Sequence, residues 1–493
     1  MLDPVTFPPG FLWGAATAAY QIEGAAHEGG REDSIWDTFA RVPGAVLLGE
    51  DGSVACDHYG RYADDVELIS RLNLGAYRFS VSWARVCPGG GEPHPEGLAF
   101  YSRLVDTLLA RGITPWLTLY HWDLPQRLQD AGGWPARDTA YRFVDYAQTV
   151  HDELGDRVRY WTTLNEPWCS AFLGYGNGHH APGQTDGAQA LRAAHHLMLA
   201  HGLAVQELRS RDAGLDLGLT LNFADIRPAD PTSAGDRDAA RRADGMSNRF
   251  FVEPILTGAY PQDVLADVAD LWPADLLQDG DLEVISTPID VLGVNYYAGQ
   301  AVTGVDPEKA VEAARRQRAQ GPPSPNPGSE HVTLVTRDLP TTDMGWEVLP
   351  EGLSDLLGRL HRTYTGPRGV ALVVTENGAA YADEPDERGF VDDQDRIDYV
   401  REHLLAVHGA IQEGADVRGY FLWSLLDNYE WAFGYSKRFG IVRVDYESLA
   451  RIPKASALWY ADVAATGQVT PRDPALTEGR SAQRGWESSS TAP

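Results

Sequence analysis

Short apolar and β-branched runs recur along the chain, separated by stretches in which apolar positions return every three or four residues. Eight runs read as strands: 11–20, 76–83, 114–122, 158–166, 215–223, 290–297, 370–376 and 417–424. Between the second and third, the apolar residues from Phe100 to Leu109 fall at helical spacing, and residues 141–147 do the same before the fourth. Strand alternating with helix implies parallel strands joined by right-handed crossovers. Eight such units in one chain predict a single α/β domain, a (β/α)8 TIM barrel with enlarged βα loops spanning residues 1–465. The polar stretch 306–330, which contains Gly321-Pro322-Pro323-Ser324-Pro325, is expected to be a mobile insertion in a βα loop rather than a domain boundary. Residues 466–493 are rich in Ser, Thr, Pro, Gly and charge, and are expected to form a disordered tail.

A barrel of this kind carries its chemistry at the C-terminal ends of its strands. Those ends hold Gln21, Arg78, His121-Trp122, Asn165-Glu166, Asn295 with Tyr297, Glu376 and Trp423, with Glu430 and Trp431 shortly after. Amides, imidazole, carboxylates and indoles are groups that grip vicinal hydroxyls and pack under a pyranose ring. Each of the two strand-end glutamates directly follows an apolar run: Thr162-Thr163-Leu164-Asn165-Glu166-Pro167 and Val373-Val374-Thr375-Glu376-Asn377-Gly378. Taken singly, each reads equally well as a loop residue or a helix cap. Taken together on one barrel, they suit the carboxyl pair of glycoside hydrolysis, about 5 Å apart when configuration is retained. One carboxyl must then hold its proton while the other stays ionised. A free Glu titrates near about 4.3, so the acid has to be raised by roughly two units, and burial beside a second carboxylate does that. Arg78 and Tyr297 are the groups expected to hold the ionised partner.

Composition narrows the function further. Hydrophobic content of 43%, with 14 Trp, 21 Tyr and 14 Phe, supplies both a large core and a sugar-binding cleft. The formal charge of −29 argues against nucleic acid and against an anionic membrane surface as partners. Cys56, Cys87 and Cys169 are too few and too scattered for a disulfide framework or a zinc site. The N-terminal residues lack the features of a secretory signal, and no stretch reaches the length of a membrane span, so a cytoplasmic setting is expected. His195-His196 and His201 lack metalloprotease spacing, and like His179-His180 they are expected to be structural; no metal or cofactor is expected. Asp64-Asp65 reads as charge at a helix N-terminus, and Gly89-Gly90-Gly91 as a turn.

From about Phe7 to about Ala465 the chain resembles the β-glucosidases of glycoside hydrolase family 1. The likeness is carried by Phe11-Leu12-Trp13-Gly14-Ala15-Ala16-Thr17 through Gln21-Ile22-Glu23-Gly24, by Tyr77-Arg78-Phe79-Ser80 and by Leu119-Tyr120-His121-Trp122-Asp123-Leu124-Pro125. It continues through Thr163-Leu164-Asn165-Glu166-Pro167, Asn295-Tyr296-Tyr297, Thr375-Glu376-Asn377-Gly378 and Trp423-Ser424-Leu425-Leu426-Asp427-Asn428-Tyr429-Glu430-Trp431. The resemblance implies a retaining exo-β-glycosidase with Glu166 as acid/base and Glu376 as nucleophile. It implies a glycone site of Gln21, His121, Trp122, Asn165, Glu430 and Trp431, with Trp423 as platform and Phe439 closing the wall. Arg78, Asn295 and Tyr297 would support the nucleophile, and Asn165 would reach the 2-hydroxyl. Glu430 implies an unphosphorylated glycone and Glu166 an O-glycoside, so the expected partner is a small β-glucoside or a short β-linked oligosaccharide. A transglycosylase would use the same pair. His94-Pro95 and His179-His180 depart from the family pattern and are expected to lie away from the glycone residues.

Overall fold

The computed structural model describes residues 3–304, 324–329 and 331–472. Eight parallel strands form its centre: β1 (Leu12–Ala16), β2 (Ala76–Ser80), β3 (Thr114–Tyr120), β4 (Tyr160–Asn165), β5 (Asp216–Pro228), β6 (Val291–Gly304), β7 (Ala371–Asn377) and β8 (Val417–Trp423). Each pairs in parallel with its neighbours in sequence, and β8 returns to β1 with Trp423 opposite Ala16, closing the barrel. A helix lies in each crossover, including Pro95–Ala110, Asp138–Leu154 and Gly187–Arg211, and Ala455–Thr466 follows β8.

The strand sequences follow from burial on both faces, which favours continuous apolar runs over alternation. All seven residues of β7 are buried. Within the barrel, small side chains (Ala16, Ala76, Ala371) leave room for Trp116, Phe421 and Trp423. The opposite strand faces, with Ala15, Tyr77, Leu117, Leu372 and Tyr420, pack in the larger cluster under the helices. Helix Pro95–Ala110 shows the matching stripe: it begins at a proline and buries Phe100, Tyr101, Leu104, Val105 and Leu108.

Several expectations need correction. The run 11–20 is not one strand: it ends at Ala16, and Gln21 sits in a single helical turn, Ala19–Ile22. β5 and β6 extend beyond 223 and 297, pairing from Asp225 with Gly299 to Pro228 with Val302, and Val332–Val335 adds to β6 in antiparallel fashion. Asp64-Asp65 lies well inside helix His58–Arg71, not at its start. Asp65 is a buried ion-pair partner there, 2.8 Å from His58 Nδ1 and 2.8 Å from Arg451 Nε. Order continues past 465, because Gln468–Val469 pairs with Val5–Thr6. The rest of the expected tail, 473–493, lies outside the described residues, as does most of the expected insertion, 306–323 and 330.

The strand ends are packed to backbone contact where β7 meets β8. A Cβ on Gly378 would lie 1.7 Å from the Trp423 carbonyl oxygen. Gly378→Ala is therefore expected to cost about 3 kcal/mol, read as a lower urea midpoint at unchanged slope.

Candidate active site

The C-terminal mouth holds a cleft of about 380 Å³ lined by both strand-end glutamates. Glu166 is the first residue past β4, where the register with β5 slips between Thr162 and Asn165. Its N–H donates to the Thr220 carbonyl (2.9 Å), and its φ of 49° is left-handed. Trp122 (φ 77°) and Trp431 (φ 49°) share that conformation and line the same cleft. For a residue with a side chain such geometry costs on the order of 1–3 kcal/mol and persists only where the surroundings enforce it.

The two carboxyl groups have different partners. Arg78 Nη1 lies 2.6 Å from Glu376 Oε1, and the Tyr297 hydroxyl donates to Glu376 Oε2 at 2.6 Å. Glu166 faces neutral donors: Asn295 Nδ2 to Oε1 (2.6 Å) and the Cys169 thiol to Oε2 (3.2 Å). Asn165 joins the two halves, its Oδ1 accepting from Arg78 Nη2 (2.6 Å) and from Asn295 Nδ2 (3.1 Å). Burial holds the Glu166 carboxyl well above the usual carboxylate range, and the charge of Glu376 adds to the effect. The hydrogen bonds from Asn295 and Cys169 pull weakly the other way. One carboxyl thus carries the guanidinium while the other is raised, an arrangement that separates an acid from a nucleophile.

Around the pair stands a wall for a polar ring. The Gln21 amide donates to Asn428 Oδ1 (3.1 Å) and to the Tyr429 carbonyl (2.8 Å), and its buried Oε1 has no partner among the described residues. His121 Nδ1 and Glu430 Oε2 are buried and unpartnered in the same way. Burial, reinforced by the charges of Glu376 and Glu166, pushes the Glu430 carboxyl up to about 8. The His121 ring stacks between Trp423 (5.9 Å) and Trp431 (6.0 Å), and Phe439 packs edge-on against Tyr297 (6.1 Å). Indole faces beside free polar atoms match the alternating faces of a pyranose.

Most of the site residues expected from sequence come together at this mouth; Gln21 is buried and bonded to Asn428 and Tyr429, and is not among the residues lining the cleft. His121, Trp122, Glu166, Tyr297, Glu376, Trp423, Glu430, Trp431 and Phe439 line the cleft. Arg78, Asn165 and Asn295 lie beneath and brace the carboxyls, and the Asn165 amide also reaches His121 Nε2 (3.1 Å). The doubled histidine is the exception: both residues line the cleft, and the His180 ring sits 5.3 Å from Trp122, against the expectation that it lies apart. Trp168, Cys169, Leu173, Met344, Trp346 and Phe433 also line the cleft without having been named as site residues. Trp168 and Cys169 were within reach of sequence reasoning, since they follow Glu166-Pro167 within one helical turn. Met344 and Trp346 come from the loop between Val332–Val335 and helix Pro350–Leu360 and carry no such signal.

The family model described as glycosyl hydrolase family 1 matches residues 4–469. Thermostable beta-glucosidase B of Thermobispora bispora is 52% identical over 463 residues, covering 93% of this chain and 90% of that one. A bifunctional beta-D-glucosidase/beta-D-fucosidase of Bifidobacterium breve is 50% identical, covering 92% and 97%. The crystal structure of a psychrophilic beta-glucosidase from Micrococcus antarcticus superposes with a TM-score of 0.90 at 52% identity, over 94% of this chain and 98% of that one.

The raised Glu430 carboxyl has a consequence for stability. Its folded-state affinity for a proton exceeds that of the unfolded chain, so the stability it contributes is complete below about pH 4.3 and is lost as pH rises toward 8. Glu430→Gln removes that loss. Its unfolding temperature relative to the unmodified protein is expected to be higher at pH 8 than at pH 5, and an offset independent of pH contradicts this.

Proposed function

This chain belongs to glycosyl hydrolase family 1, and we propose that Glu166 and Glu376 are the acid/base and the nucleophile of its double displacement. The activity is that of a retaining β-glucosidase, an O-glycoside hydrolase. In the first step a Glu376 oxygen attacks the anomeric carbon while Glu166 gives its proton to the glycosidic oxygen. The C–O bond breaks, the aglycone leaves as an alcohol, and a glycosyl ester remains on Glu376. In the second step Glu166, now ionised, takes a proton from water. That water attacks the same carbon and displaces Glu376, restoring the β configuration.

The observation that carries the residue assignment is the unequal partnering of the two carboxyls. Arg78 and Tyr297 place positive charge and a donor on Glu376, whereas the donors to Glu166 among the described residues are neutral and burial raises it. In this reading Gln21, His121, Trp122, Asn165, Glu430 and Trp431 hold the sugar hydroxyls, Trp423 is the platform, and Phe439 closes the wall. Asn295 and Tyr297 complete the site beside the nucleophile.

The glycone is terminal β-D-glucose without a phosphate, because Glu430 presents a carboxyl where a phosphate would need a cation. Fucose and galactose fit the same reading, the first in keeping with the name of the Bifidobacterium breve relative. Short β-linked oligosaccharides, such as fragments of cellulose, suit the outer cleft between Trp168, Leu173, His179, Trp346 and Phe433. A cytoplasmic setting fits the three free buried cysteines. Among the described residues no helix is long and apolar enough to cross a membrane.

Glu376→Ala is expected to lower kcat on an aryl β-glucoside by on the order of 10⁵-fold or more. Glu166→Ala is expected to lose roughly 10²- to 10⁴-fold on a poor leaving group, whereas on 2,4-dinitrophenyl β-glucoside, whose leaving group needs no proton, azide is expected to restore turnover as β-glucosyl azide. Near-normal activity in Glu376→Ala, or α-glucose as the first-formed product, would falsify the assignment.

A further inference from the structure

Cys169 lies three residues past Glu166, and its N–H donates to the Glu166 carbonyl (3.0 Å), so its side chain returns to the face from which that carboxyl projects. Its thiol contacts Glu166 Oε2 at 3.2 Å and lines the cleft. The other carboxyl oxygen is spoken for. Asn295 Nδ2 donates to Oε1 at 2.6 Å, and Thr375 Oγ1 donates to Asn295 Oδ1 at 2.7 Å, which fixes which end of the amide faces Glu166. A proton on Oε1 would therefore meet an N–H, so a protonated Glu166 carries its proton on Oε2, the oxygen beside the sulfur. An amide nitrogen can only donate, whereas a thiol donates weakly and accepts weakly. Burial and the flanking carboxylates push the Cys169 thiol well above its usual range, so the sulfur keeps its hydrogen at working pH and is not a nucleophile.

We propose that Cys169 is a positioning residue for the acid/base, its thiol donating to Glu166 Oε2 when that group is ionised and accepting from it when that group is protonated. The proposal rests on the reading of Glu166 as acid/base. It assigns the transferable proton to one named oxygen and gives that oxygen a partner in both half-reactions. A serine at the same position could donate and accept in the same way, whereas valine can do neither.

The experiment compares the full chain with Cys169→Val, Cys169→Ala and Cys169→Ser. It measures kcat/KM against pH for phenyl β-glucoside, which needs a proton on its leaving group, and 2,4-dinitrophenyl β-glucoside, which does not. Removing the donor disfavours the ionised form of Glu166. Val and Ala are thus expected to move the alkaline limb for the phenyl substrate up by about half a unit. They are also expected to lower its optimum kcat/KM about 3- to 10-fold while leaving the dinitrophenyl value within about twofold. Ser is expected to restore both limb and rate. A Val and Ala profile that overlays the parent overturns the proposal. So does a shift that Ser reproduces in full, which would attribute it to packing. Should valine unfold the protein, the alanine and serine pair decides alone. Failure of azide to rescue Glu166→Ala identifies an error in the acid/base reading itself, separately from any result at Cys169.

Discussion

The guanidinium of Arg78, fully buried within the barrel on β2, is the point from which the rest of the site is set. It pairs with Glu376 on β7 and hydrogen-bonds Asn165 on β4, so one cation ties together three of the eight strands. A buried cation without its carboxylate would cost several kcal/mol, and so would a buried carboxylate without its cation. The barrel therefore cannot close in this form with Glu376 pointing elsewhere. The same pairing fixes the chemistry: Arg78 sits on Glu376, and burial then leaves Glu166 and Glu430 to keep their protons. Fold and reactivity rest on a single contact.

A second group of buried charges does for the loop after β8 what Arg78 does for the strands. Lys454 bridges Asp383 and Asp427, and Arg396 bridges Asp383 and Asp393. Arg438 reaches Asp427 at 2.6 Å, and the Gly440 N–H donates to the same side chain at 3.0 Å. Three cations against three carboxylates leave no net charge, which is the condition for burying such a group. Asp427 lies between Trp423 and Glu430 in sequence, while Arg438 and Gly440 flank Phe439. The network thus clamps the segments that carry the platform, the Glu430 carboxyl and the closing ring.

What could be read from the sequence follows what burial imposes. β4 and β7 were legible because parallel strands covered on both faces must be apolar, and the glutamates showed as interruptions at their ends. The outer parts of β5 and β6 were not, because they are only partly covered and carry Asp225, Arg227 and Gln300. Asp65 was misplaced because a paired buried carboxylate and a helix-start carboxylate look alike until Arg451, nearly four hundred residues away, is brought beside it. Gln21 was set at a strand end but lies in a helical turn, since Thr17 to Tyr20 continues the apolar run past the point where the backbone turns. His180 and Trp346 reach the cleft through loops, where no periodicity ties sequence position to direction.

Part of the price of this arrangement is met at the mouth. Glu166, Trp122 and Trp431 adopt left-handed backbone there, and Gln21, His121 and Glu430 each keep a buried polar atom without a partner among the described residues. Each feature departs from what stability alone would select, and strain and unmet hydrogen bonds in a folded protein gather where function needs them. The two departures are linked. The left-handed turn at Glu166 brings its carboxyl under Asn295 and Cys169, and the one at Trp431 sets the ring that stacks on His121. A relaxed backbone at these positions would turn the side chains away from the cleft and let the orphaned atoms find protein partners. A sugar hydroxyl would then have to displace a bond already made. The strain keeps the polar atoms uncommitted, and the buried charge networks beneath supply the rigidity that sustains it.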